Sequence, residues 1–91
     1  MNNDYWMQSS NNPTHLTLFR VCIKQEGDNF PNQDHVRRYN FRHGKIIDRG
    51  VIDLEEARRK WYKRTMLGWK VIPYEEAENF ALSLEDEING A

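Results

Sequence analysis

Residues 15–24, HLTLFRVCIK, leave neither side of an extended chain polar. Thr17, Phe19, Val21 and Ile23 line one side, and Leu16, Leu18 and Cys22 make the other partly apolar. A strand apolar on both sides is usually covered on both, so this segment predicts a central strand. Residues 1–14, MNNDYWMQSSNNPT, have no such period and are rich in Asn and Ser, which predicts a flexible arm. Its Tyr5-Trp6-Met7 cluster is the exception, a group expected to dock on its own domain or on a partner. Residues 25–34 read as a long turn containing Gly27 and Pro31, with Phe30 folding back as a local plug.

Residues 35–52, HVRRYNFRHGKIIDRGVI, predict a hairpin around His43-Gly44. A two-residue turn there sets Arg42 opposite Lys45 and Arg38 opposite Arg49, two unfavourable like-charged pairs. A three-residue Arg42-His43-Gly44 loop places Gly44 at the left-handed position and sets Arg38 opposite Asp48 and Tyr39 opposite Ile47. That second register leaves only Arg37 and Arg49 like-charged and is the one expected.

Asp53 is a good N-cap, and Glu56 three residues on completes an acidic form of the capping box. A helix over 53–67 follows, with Leu54, Ala57, Trp61 and Thr65 on one face and Tyr62 and Met66 flanking them. Gly68 stands where a left-handed cap is expected, with Trp69 packing back across it. Residues 69–73, WKVIP, are a candidate short fourth strand, and Pro73 can open another helix. Beyond it, Ala77, Phe80, Ala81, Leu84 and Ile88 form a helical stripe opposite an acidic face. The fold class expected is α+β: a small three-stranded antiparallel meander, with that candidate fourth strand, packed against one helix and followed by a C-terminal amphipathic helix. The domain organisation expected is an arm at 1–14, a core at 15–73 and an acidic helix at 74–91.

The joint RGVIDLEEA, three strands leading into a helix, resembles the three-stranded sheet modules of plant AP2-type and phage-integrase DNA-binding domains. The resemblance covers about ten residues and is one of topology.

Composition sharpens the functional picture. Residues 35–70 hold eleven Lys or Arg against four acids, a local +7, while residues 71–91 hold six acids and no base, a local −6. The net charge of −1 therefore hides a basic middle and an acidic end. The single cysteine, Cys22, allows no disulfide and no cysteine-rich metal site, so neither metal nor cofactor is expected. His35 and His43 stand at opposite ends of one expected strand, roughly 26 Å apart, and cannot share an ion. No phosphate-binding glycine loop and no nucleophile–base pair is evident, and an enzyme is not expected. Nor does any run approach the ~20 apolar residues of a membrane helix, and the N-terminus lacks a signal-peptide layout; a cytoplasmic protein is expected.

The function expected is a small non-enzymatic protein-binding or regulatory module, with Trp6, Phe80, Leu84 and Ile88 as partner-binding candidates. The alternative is a nucleic-acid-binding module using Arg38, Arg42, Arg59, Lys63 and Arg64 against phosphates. Two i, i+4 pairs, Glu55–Arg59 and Glu56–Lys60, are expected to neutralise part of that basic face. Self-association through charge or sheet edges is a further route to an oligomer.

Overall fold

A computed structural model describes residues 2–23 and 34–80. Its strands are β1 (Asn2–Gln8), β2 (His15–Cys22), β3 (His35–Arg42) and β4 (Lys45–Ile52). They are followed by helix α1 (Leu54–Met66), strand β5 (Lys70–Ile72) and the short helix α2 (Tyr74–Glu78). The five strands form one open antiparallel sheet in the order β4-β3-β2-β1-β5. This is the expected small α+β fold, enlarged by one strand.

The added strand lies where composition points to a flexible arm. β1 pairs with β2 along its whole length, from Asn2 opposite Cys22 to Gln8 opposite Leu16. Successive side chains of a strand face opposite sides, so Trp6 and Met7 enter different layers. Trp6 is 3% exposed and Met7 wholly buried. Burying two such side chains is worth roughly 1.5–3 kcal/mol each, which together with the ladder to β2 offsets the entropy of ordering an otherwise polar segment. Trp6 therefore serves the core and is not a free docking group.

β2, apolar on both faces, is the middle strand. On the α2 side, Trp6, Leu16, Leu18, Tyr39, Phe41, Ile72 and Ala77 form one cluster, with Ile46, Tyr74 and Phe80 packed on it. The Trp6 ring lies 5.5 Å from Phe41 and 6.2 Å from Tyr74. On the α1 side, Met7, Phe19, Val36 and Ala57 form a second cluster, flanked by Val21, Ile52, Leu54, Trp61 and Trp69. The expected fourth strand is β5. It lies at the edge opposite β4, and α1 connects the two edges.

The hairpin departs from the expected register. His43 and Gly44 both have positive φ, 51° and 78°, and make a two-residue turn that sets Arg42 opposite Lys45. Such a turn matches the right-handed twist of the strands, and the like-charged pair sits at an exposed tip where solvent screens it. One residue later a bulge shifts the ladder. Phe41 faces Ile46, but Asn40 faces Asp48, Tyr39 faces Arg49, Arg38 faces Gly50 and Arg37 faces Val51. The bulge keeps Ile46 against the α2-side core and leaves Ile47 53% exposed. Arg38 still reaches Asp48 diagonally, at 2.9 Å.

α1 begins and ends as its sequence predicts. The Asp53 carboxylate accepts a hydrogen bond from the Glu56 amide at 2.7 Å. At the other end the amides of Gly68 and Trp69 donate to the carbonyls of Thr65 and Arg64, both at 3.0 Å, the paired bonds of a Schellman cap. Gly68 needs its φ of 90°, and a Cβ there would lie 3.0 Å from Ser10 Oγ. The inward face is Ala57, Trp61 and Arg64, where Thr65 was expected. Thr65 is exposed and donates its hydroxyl to the Tyr62 carbonyl. Pro73 precedes α2, whose Ala77 is fully buried. The turn expected at 25–34, with Phe30, lies outside the described residues except for Asp34, as do Ala81, Leu84 and Ile88.

Candidate functional site

α1 covers its side of the sheet unevenly. Its Ala57 packs with Phe19 and Val36, and beside them a groove runs toward β1 and the end of β2. The groove has a volume of about 750 Å³. Phe19, Val21, Ile23 and Val36 of the sheet side line it, with Leu54, Ala57, Trp61 and Tyr62 from α1. Tyr5 of β1 also lines it, and Arg58 is the one charged side chain on the wall. Trp61 forms its centre, with its ring edge-on to Phe19 at 5.4 Å and to Tyr5 at 6.0 Å. Tyr5, Ile23 and Tyr62 are 46%, 42% and 66% exposed, so large apolar surface stands open at the rim.

On the far side of Trp61 the space between helix and sheet is polar. The Thr17 hydroxyl donates to Asn40 Oδ1 at 2.7 Å, and Arg64 Nη2 donates to the same oxygen at 3.3 Å. Asn40 Nδ2 donates to Asp48 Oδ2 at 3.2 Å, which also receives Arg38 Nη2. The Arg64 guanidinium lies over the Phe19 and Trp69 rings, 5.5 and 5.3 Å from their centroids. Burial lowers its pKa from the ordinary value, and the charge of Arg38 adds to the shift. The Arg38 hydrogen bond and charge together hold the Asp48 carboxyl below its ordinary value.

This arrangement divides the basic residues that the sequence groups together. Arg38 and Arg64 turn into the polar cluster and are not a free phosphate-contacting surface. Arg42 stands exposed at the hairpin tip, and Arg59 and Lys63 on the outer side of α1. Of the two expected helix pairs, Glu56–Lys60 forms at 3.8 Å, whereas Glu55 and Arg59 do not come within ion-pair distance. Among the described residues, Arg58, Arg59 and Lys63 make no ion pair. Phe80 packs against the α2-side core, and Leu84 and Ile88 lie outside the described residues.

Sequence reasoning did not single out Tyr5 and Tyr62 as groove residues, nor the Thr17–Asn40 pair. The signal for Arg64 was present: Ala57, Trp61 and Arg64 have the i, i+4, i+7 spacing of one helix face. No helix among the described residues is long and apolar enough to cross a membrane. Comparison of the chain with protein-family models, with curated proteins and with solved structures finds no match in any of the three.

Proposed function

We propose that this chain is a protein-binding module that acts by recognition and not by catalysis, taking apolar side chains of a partner into the groove between α1 and the sheet. The open, aromatic-lined groove of about 750 Å³ is the observation that carries the reading. Exposed apolar surface gathered in one concave place favours a ligand that shields it, and Tyr and Trp supply large contact area with few rotors to order. The wall offers aliphatic and aromatic groups with Arg58 as its single charge, a lining suited to holding side chains.

Site-directed crosslinking tests this. A photoreactive phenylalanine analogue replaces Tyr62 in one version of the full chain and Arg37, on the other face of the sheet, in a second. The expected result is one dominant protein adduct from position 62, absent from position 37 and suppressed by Tyr5→Glu. Equal adducts from both positions, or adducts chiefly with nucleic acid, overturn the reading.

A further inference from the structure

The groove adjoins an unfinished strand ladder. The Ser9 amide donates to the His15 carbonyl at 3.0 Å, which identifies Ser9–His15 as a hydrogen-bonded pair of the β1–β2 ladder. Such pairs alternate along an antiparallel ladder, so Met7, Tyr5 and Asn3 direct their backbone groups toward β2. Gln8, Trp6 and Asp4 direct theirs away from it. β5 meets this outer edge only from Trp6, opposite Ile72, to Gln8, opposite Lys70. Past Ile72 the chain turns through Pro73 into α2, and no described residue pairs with the outward amide and carbonyl of Asp4. A hollow of about 300 Å³ lies at this place, lined by Asp4, Trp6, Val71, Pro73 and Tyr74 among others. Tyr5 lines both the hollow and the groove.

We infer that the outer edge of β1 at Asp4, in line with β5, accepts an extended segment of a partner protein as an added strand, whose apolar side chains alternate into the groove beside Tyr5 and Tyr62. This rests on the protein-binding reading and names the form of its partner. An added strand satisfies the outward groups of Asp4, as strand addition does at other open edges. The residue it sets opposite Asn3 lies on the α1 side of the sheet, diagonal to Tyr5 at the mouth of the groove. Charge selects the flanks. Arg58 lines the groove, Arg59 and Lys63 stand on the exposed side of α1, and none of the three has an ion pair among the described residues, so acidic residues bracketing the apolar ones are favoured.

The probe is a heptapeptide of alternating leucine and threonine bracketed by glutamates, titrated into the full chain and followed by amide resonances and hydrogen exchange. Binding is expected to slow exchange at the Asp4 amide. Methylating the peptide's central backbone nitrogens, or replacing Tyr62→Ser, is each expected to weaken binding by about tenfold, the equivalent of roughly one hydrogen bond or one apolar contact. Substituting lysines for the glutamates is expected to weaken it too, and Arg58→Glu with Arg59→Glu to reverse that order. Binding that survives methylation but falls with Tyr62→Ser overturns strand addition and leaves the groove reading standing. Absence of binding, with position 62 still yielding its crosslink, does the same. An Asp4 amide already protected in the free chain means that a segment of the chain itself or a second copy occupies the edge, and the inference falls.

Discussion

The two faces of the sheet are built from the same strands yet end in different states. On the α2 side, the rings of Trp6, Tyr39 and Phe41 and the side chains of Leu16, Leu18 and Ile72 meet a small residue, Ala77. All of these residues are buried, and the helix described on this side has five residues. On the α1 side, a longer and well-capped helix covers less. It rests on Ala57, leaves a groove on one flank and encloses hydrogen-bonded polar groups on the other. The large rings of the two layers differ in origin: on the α2 side Trp6, Tyr39 and Phe41 come from the sheet, whereas on the α1 side the helix itself contributes Trp61, set edge-on to Phe19.

The two layers are expected to respond differently to truncation. Phe41→Ala is expected to cost about 3–5 kcal/mol, most of the stability of a domain this small, because the buried layer cannot collapse into the cavity. Trp61→Ala, at a half-open site, is expected to cost only about 2 kcal/mol. Denaturant midpoints measure both, and equal losses would show that the two layers are packed alike.

Next in size is the polar cluster. Asn40→Ala deprives Thr17 and Arg64 of their shared acceptor and Asp48 of a donor, with an expected cost of about 1–3 kcal/mol. Arg64→Met is expected to change stability by no more than about 1 kcal/mol, since it removes a partly desolvated charge near Arg38 and keeps apolar contact with Phe19 and Trp69. A large loss from Arg64→Met would show that its hydrogen bond to Asn40 dominates over burial. Asp48 adds a pH signature. Its folded-state pKa lies below the ordinary 3.8, so its contribution is complete above that value and is lost as pH falls through the lower, folded value. Asp48→Asn should accordingly flatten the acid limb of the stability curve and leave its shape above about pH 5 unchanged.

The smallest effect tests the hairpin. His43 holds a φ of 51°, a conformation that asparagine tolerates better, and His43→Asn is expected to stabilise the chain by about 0.5 kcal/mol. Destabilisation would show that the ring makes a contact that outweighs the backbone gain.

Much of this architecture is legible in contiguous residues. The two-faced apolar pattern of 15–24 marks the middle strand, because burial on both sides leaves no polar alternation. Asp53, Gly68 and Pro73 mark helix boundaries, since each supplies a local need: a side-chain acceptor, a positive φ, a fixed φ without an amide. The site was less legible. The basic candidates Arg38 and Arg64 are indistinguishable by type from Arg42 and Lys63. What separates them is the sheet face that each one meets.

By itself, then, the sequence determined the ends of α1, the central place of β2 and the α+β class, all readable from patterns within a few residues. Only the tertiary structure decided that Asn2–Gln8 is a strand, because Trp6 and Met7 gain their burial from partners far along the chain. It also decided the bulge at Ile47, which reconciles a twist-matched turn with a buried Ile46, and the place of β5 at the far edge. The groove belongs to this second group, as does the outward backbone of Asp4, which no described residue pairs. Both depend on how distant parts of the chain fit together, since the groove is lined from β1, β2, β3 and α1 and the edge of β1 meets β5 only from Trp6 to Gln8.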